Sequence, residues 1–238
     1  AGGARPALAA LIGAGAGVAL HRAAFGFAAA WRRLLRERRS AGLRAQLLLI
    51  GLAAAVAWPL VEAGAAQPWV LPMGVASAFG ALLFGFGMQL GGGCASGTLY
   101  TLGGGSTRMA TTLAFFVAGS VLATAQWELW AALPRTRAGV SLIAAAGGAL
   151  PALVALGLAL AALWAAAAAL ERRAHGGVEP LARARPPGGW SLLAGAVALA
   201  AVVWACFLLL GRPWGVTSGF ALWGAKIAVA AGLPVESW

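Results

Sequence analysis

The stretch MGVASAFGALLFGFGMQL (Met73–Leu90), then GGGCASGTLYTLGGGS (Gly91–Ser106), then MATTLAFFVAGSVLATA (Met109–Ala125), decides the fold. A transmembrane helix needs about 20 mainly apolar residues, and the two outer runs read as spans with a glycine-rich interruption between them. Working outward, Ala45–Val61, Leu150–Leu170 and Trp190–Leu210 have the same character. Ala7–Leu20 is apolar but short, and His21 and Arg22 separate it from Ala23–Trp31. That pattern suits a broken helix or a short amphipathic follower. Arg212-Pro213 ends the Trp190–Leu210 span, and Gly215–Ala231 is a last apolar stretch. Glu62–Pro72 reads as a linker, and Gln126–Gly148, with Pro134, Arg135 and Arg137, leaves the hydrocarbon core. The expected fold is all-α, a polytopic transmembrane helical bundle with short broken or re-entrant helices.

Composition agrees. The 238 residues are 61% hydrophobic and 10% charged, with a mean hydropathy of +0.86. Soluble domains carry about 25% charged residues, so a water-exposed surface could not be covered. Eleven Trp and nine Phe exclude disorder, and two Cys exclude a disulfide scaffold. The net charge of +11 comes almost entirely from Arg. In so apolar a chain it marks cytoplasmic loops and no nucleic-acid partner. Arg32–Arg44 holds six Arg and one Glu, and Glu171–Gly189 holds four Arg and two Glu. Both read as inside loops, and the four spans between them agree with that parity. Gly91–Ser106 then falls at the inner end unless it folds back into the bilayer. No cleavable leader is expected, since no small-residue site follows a basic start and an apolar core.

The chemistry concentrates in Gly85–Ser106, where nine Gly and one Cys share 22 positions. Irregular backbone in a membrane must be buried in protein or line a water-filled cavity, and half-helices can aim their N-terminal amides at an anion. Ser96, Thr98 and Thr101 add hydroxyls, and Cys94 stands at the centre. The competing reading is helix packing through small-xxx-small contacts, which fits Gly87 with Gly91 and Gly93 with Gly97. A triple glycine directly before Cys94 is harder to explain that way. Arg108 either attracts an anion or snorkels to the interface. Cys206 reads as core, while His21, His175, Glu62 and Glu128 read as interfacial or solvated. No acid lies in the middle of a strong span, which argues against a carboxylate proton relay. The chain lacks Asp, so no Ser/His/Asp set exists; no catalytic or metal-binding constellation is visible.

A weak internal repeat appears: Gly26-Phe27-Ala28 leads to Trp31-Arg32, and Gly219-Phe220-Ala221 leads to Trp223 and Lys226. Paired, inverted repeats with equivalent broken helices are a transporter device. The expected organisation is a first transmembrane repeat with connecting helices over 1–210 and an incomplete second repeat beginning at 211–238. The same offset puts a counterpart of Cys94 beyond Trp238.

The segment GFGMQLGGGCASGTLYTLGGGSTRM (Gly85–Met109) resembles the glycine–cysteine signature of the YeeE/YedE family of sulfur-compound transporters. GRPWGVTSGFALWGAKIA (Gly211–Ala228) and FGFAAAWRRLLRERRSAGLRAQLL (Phe25–Leu48) are similar to that family too. The resemblance implies a bacterial inner-membrane protein that takes up thiosulfate through a pseudo-symmetric, hourglass-shaped helical body. The ion passes by transient hydrogen bonds to cysteine thiols, and Cys94 is the matching thiol. It implies no cofactor. The lipid bilayer and a small sulfur anion are its partners, with a cytoplasmic sulfur-carrier or sulfurtransferase protein as a further expectation. Two departures stand out. The family often has a Cys near Phe25–Phe27, where this chain has Gly26, and a further Cys belongs to the second repeat.

The expected substrate path is therefore Cys94 with Gly91, Gly92, Gly93, Ala95, Ser96, Gly97 and Thr98, with Arg108 as an anion attractor. Two rivals are a membrane thiol sulfurtransferase, in which Cys94 takes sulfane sulfur covalently, and a non-transporting membrane subunit. The first lacks a nearby base or oriented His.

Overall fold

The computed structural model describes residues 3–233. Six of its helical segments are long and apolar enough to cross a membrane: Ala4–Glu37, Ala41–Glu62, Val75–Gly103, Thr107–Ala125, Ala149–His175 and Leu192–Leu210. The chain is a multi-pass helical membrane protein. Two of the six are interrupted. The first is α1 (Ala4–Ala23) followed by α2 (Phe27–Glu37), and the third is α4 (Val75–Gly91) followed by α5 (Ala95–Gly103). The others are α3 (Ala41–Glu62), α6 (Thr107–Ala125), α9 (Ala149–His175) and α10 (Leu192–Ala205), which runs on into a π-helical turn over Cys206–Leu210. Short helices α7 (Trp127–Ala131) and α8 (Leu142–Ala146), and the apolar α11 (Val216–Ala230), complete the helices.

One expectation needs correction here. Arg32–Arg44 is no loop: α2 runs through Arg36 to Glu37, α3 starts at Ala41, and only Arg38–Ser40 turn between them. Arg38 takes the left-handed conformation (φ 55°) that stops α2. The segment 126–148, expected only to leave the hydrocarbon core, holds α7, α8 and β2 (Arg135–Gly139), which pairs antiparallel with β1 (Pro72–Gly74). Both runs are short and sit outside the apolar spans, where period-2 pairing satisfies backbone groups that no helix covers.

The fold divides into two compact units. Unit 1 comprises Ala1–Val70 and Ser141–Trp214. In it α3 packs against α9 and α10, α10 packs against α1, and α2 lies on α3. The buried faces are largely alanine: Ala16, Ala19 and Ala23 on α1, Ala45, Ala54 and Ala57 on α3, Ala152 and Ala167 on α9, and Ala196 and Ala200 on α10. Lipid chains are as apolar as these side chains, so close backbone approach drives such packing. Gly195 of α10 has no room for a Cβ against Ala23. Trp204 adds an indole N–H donated to the Leu52 carbonyl at 2.7 Å.

One buried polar cluster ties this unit together, and it overturns the reading of Glu171 as part of a polar loop. Glu171 is fully buried near the end of α9. Its carboxylate accepts from the Ser40 N–H (3.1 Å), the Ser40 hydroxyl (2.5 Å), Arg44 Nη2 (3.3 Å), Arg39 Nη1 (3.4 Å) and the Glu179 N–H (3.3 Å). Arg44 also donates to the Glu179 carbonyl (2.6 Å) and lies 5.4 Å from the Trp164 ring centre. An acid near a helix C-terminus opposes the helix dipole, which is the sequence sign that Glu171 serves a partner elsewhere. His175 Nε2 meets the Glu37 carbonyl at 2.9 Å. The two arginine-rich segments thus meet at one end of unit 1. Glu62 is likewise more than a solvated acid: its carboxylate accepts from the Ala149 N–H at 2.9 Å, capping α9.

Unit 2 comprises Leu71–Val140 and Gly215–Trp238. Here α6 packs against α5 and α11. Gly224 of α11 sits flush against Val117 and Val121 of α6, and buried Phe220 meets Phe116 edge-on at 5.5 Å.

Candidate functional site

The glycine-rich interruption is a helix-to-helix break with a defined geometry. Gly92 ends α4 in the left-handed conformation (φ 80°), and its N–H bonds the Met88 carbonyl at 3.1 Å. Glycine takes this cap without the Cβ clash other residues incur. Gly93 is buried, and Cys94 follows in extended conformation (φ −79°, ψ −179°) as the N-cap of α5. The Cys94 carbonyl accepts from the Thr98 N–H at 2.8 Å. The amides of Ala95, Ser96 and Gly97 occupy the first turn, where no intrahelical acceptor exists.

The thiol sits beside those amides. Cys94 Sγ is 3.5 Å from Ser96 Oγ and is half-buried. A Cβ on Gly97 would lie 3.4 Å from the sulfur, in van der Waals contact with the thiol. A Cβ on Gly93 would lie 3.3 Å from the Thr98 nitrogen, a tight contact with the first turn of α5. Ala95 and Thr98 are buried, and Thr98 Oγ1 has no hydrogen-bond partner.

Arg108 comes to the same place from α6. A Cβ on Gly92 would lie 2.9 Å from its Nη2, so the guanidinium lies over a glycine two residues from Cys94. Helix capping explains Gly92, while Gly91 packs on α6, where a Cβ would lie 3.0 Å from Thr112 Cγ2. The packing reading therefore accounts for Gly91. Gly93 and Gly97 have their nearest neighbours within the Cys94 turn itself and not on another helix. Cys206 is buried at the start of the π-helical turn.

The donors around Cys94 are two kinds of positive field, the α5 N-terminus and Arg108. With the weak donor and acceptor capacity of a thiol, they suit passing contact with an anion. The residues of the expected path, Gly91 to Thr98, lie in the break and the first turn of α5. Sequence reading left open whether Arg108 belongs, and the structure brings its guanidinium over the break. The sequence sign was its position in the first turn of the next helix.

A helical, multi-pass membrane protein with a glycine–cysteine break edged by Arg108 has the build of a solute transporter. A family model described as sulphur transport matches residues 22–237, and the chain belongs to that family. The family assigns it a role in sulfur transport and points to a transporter rather than an enzyme. No curated protein matches the chain.

Proposed function

We propose that this protein carries thiosulfate, or a related small sulfur anion, across the bacterial inner membrane. The Cys94 thiol makes a transient contact with the ion; Gly92, Gly93 and Gly97 let the ion come close, and Gly91 seats the break on α6. Ala95, Ser96 and Gly97 present N–H groups, Ser96 and Thr98 present hydroxyls, and Arg108 draws the anion in. The observation that carries this reading is the seat of Cys94: the N-cap of α5, with the Arg108 guanidinium over the neighbouring Gly92. A thiol there forms and loses weak hydrogen bonds without a covalent step, which passage requires. The ion is handed on inside the cell to a sulfur-carrier or sulfurtransferase protein. A second repeat begins at 211–238, in which Gly219-Phe220-Ala221 corresponds in sequence to Gly26-Phe27-Ala28. The test is uptake of labelled thiosulfate by cells expressing Cys94→Ala at matched levels. Uptake is expected to fall by roughly tenfold or more, the weight of a lost contact in the rate-limiting constriction. Uptake equal to that of the unmutated protein refutes the thiol contact.

A further inference from the structure

Helix α2 lies across one end of unit 1. It begins beside the end of α1 and the start of α10, where the Trp190 N–H bonds the Arg22 carbonyl at 3.0 Å and Gly195 sits flush on Ala23. It ends beside the end of α9, where His175 meets the Glu37 carbonyl and Glu171 holds Ser40. Both its ends are tied to ends of membrane-spanning helices on the same side. Its 11 residues therefore run along that rim.

These residues sort into stripes. Ala30 and Leu34 are buried, with Ala30 against Gly42 of α3. Phe27, Trp31 and Leu35 follow at intervals of four, so they share one side of the helix, and all three are exposed. The Phe27 and Trp31 rings are neighbours at 6.3 Å. Arg32 and Arg36 form the next row round the helix and are exposed as well. Among the described residues neither makes an ion pair, and the same holds for exposed Arg38, Arg172 and Arg173 at the adjoining helix ends. The acids of this rim are engaged or withdrawn. Glu37 pairs with Arg33 at 3.2 Å, Glu171 is buried with Arg39 and Arg44, and Glu179 is half-buried.

An apolar stripe beside a cationic row is the build of a helix that lies in a membrane surface. A Trp in such a stripe sits at headgroup level. An acidic protein would satisfy the arginines and leave the apolar stripe in water. A lipid surface supplies phosphates and an acyl phase within a few ångströms of each other, which matches both rows.

We propose that α2 anchors unit 1 to anionic phospholipid. Phe27, Trp31 and Leu35 enter the acyl boundary, while Arg32 and Arg36 take lipid phosphates, with Arg38, Arg172 and Arg173 beside them. The anchor uses no part of the Cys94 break, so its failure and the failure of the uptake test are separate results.

The experiment titrates the full chain, in a neutral detergent, with phosphatidylglycerol or with phosphatidylcholine, and counts bound lipid by native mass spectrometry. Phosphatidylglycerol is expected to bind at least about tenfold more tightly. Arg32→Gln with Arg36→Gln is expected to weaken phosphatidylglycerol binding about thirtyfold, the weight of two cations near an anionic surface, and to leave phosphatidylcholine unchanged. Both side chains are exposed and unpaired, so the fold is kept. Arg135→Gln with Arg137→Gln removes the same charge from exposed positions on β2 of unit 2 and is expected to change neither lipid. A nitroxide on Leu35→Cys, in a Cys94→Ala background, reports the depth of the stripe. In vesicles containing phosphatidylglycerol it is expected to be out of reach of a water-soluble nickel chelate. Equal affinity for the two lipids, an equal loss with the β2 pair, or a label open to the chelate would each overturn the proposal.

Discussion

The cluster around Glu171 makes a quantitative prediction. Arg44 and Glu171 are both buried, with side chains 5% and 0% exposed, whereas Arg39 is 37% exposed and screened by water. Replacing one member of a buried ion pair strands the other and costs about 3–5 kcal/mol. In Glu171→Gln, one carboxylate oxygen becomes an amide NH₂ facing donors: Ser40 and Arg44 on one side, or Arg39 and the Glu179 N–H on the other. The expected loss is therefore at the upper part of that range. Arg44→Gln leaves Glu171 its Ser40 and Glu179 donors, so a smaller loss of about 2 kcal/mol is expected. In the double variant no buried charge is stranded, since the screened Arg39 needs no partner. It should recover about 2 kcal/mol relative to the sum of the singles, within the range measured for contacting residues. The assay is thermal unfolding of detergent-solubilised protein followed by thiol labelling. Cys206, 3% exposed in unit 1, reports the opening of that unit once Cys94 is replaced by Ala. Additivity of the two single losses within about 0.5 kcal/mol would refute the coupling.

Three further outcomes are expected. Gly92→Ala, which combines a φ of 80° with a Cβ 2.9 Å from Arg108 Nη2, should cost about 1–2 kcal/mol in the same melting assay; unchanged stability would show that the α4 cap tolerates a side chain. Arg108→Gln should raise the thiosulfate concentration for half-maximal uptake about tenfold and leave the melting temperature in place, since the side chain is exposed; an unchanged half-maximal concentration would remove Arg108 from the path. Gly224→Ala should destabilise by about 1–3 kcal/mol through overpacking against Val117 and Val121; a neutral result in hydrogen exchange of α6 and α11 would show that this contact yields easily.

Much of the architecture is legible residue by residue. The apolar runs at Ala45–Val61, Met109–Ala125 and Leu150–Leu170 lie inside the helices α3, α6 and α9. Hydropathy over a span's length is a property of consecutive residues. The Gly91–Gly93 break is legible too, because it interrupts an apolar pattern directly; His21-Arg22 mark the first break two residues early, since α1 runs through both to Ala23 and the turn falls at Ala24–Gly26. The two strands were not foreseen. Pro72–Gly74 and Arg135–Gly139 are too short for period-2 alternation to register, and their pairing joins segments far apart in the chain. The candidate site was legible as a composition, with Cys94 among glycines. The role of each glycine was not: Gly92 caps a helix, Gly91 packs on Thr112, and Gly97 lies against the sulfur.

The sequence by itself determined that this is a helical membrane protein, where its spans lie, where two of them break, and which cysteine stands at a break. Segment length, hydropathy and glycine or proline content act locally, so one dimension suffices to read them. Only the tertiary structure decided who meets whom. Glu171 finds Ser40 and Arg44 well over a hundred residues away, Arg108 swings over Gly92, and Gln46 is buried with an unpaired oxygen beside Gly26. Each of these depends on the rotation of one helix against another, and the small side chains that set that rotation look alike in a chain so rich in alanine and glycine.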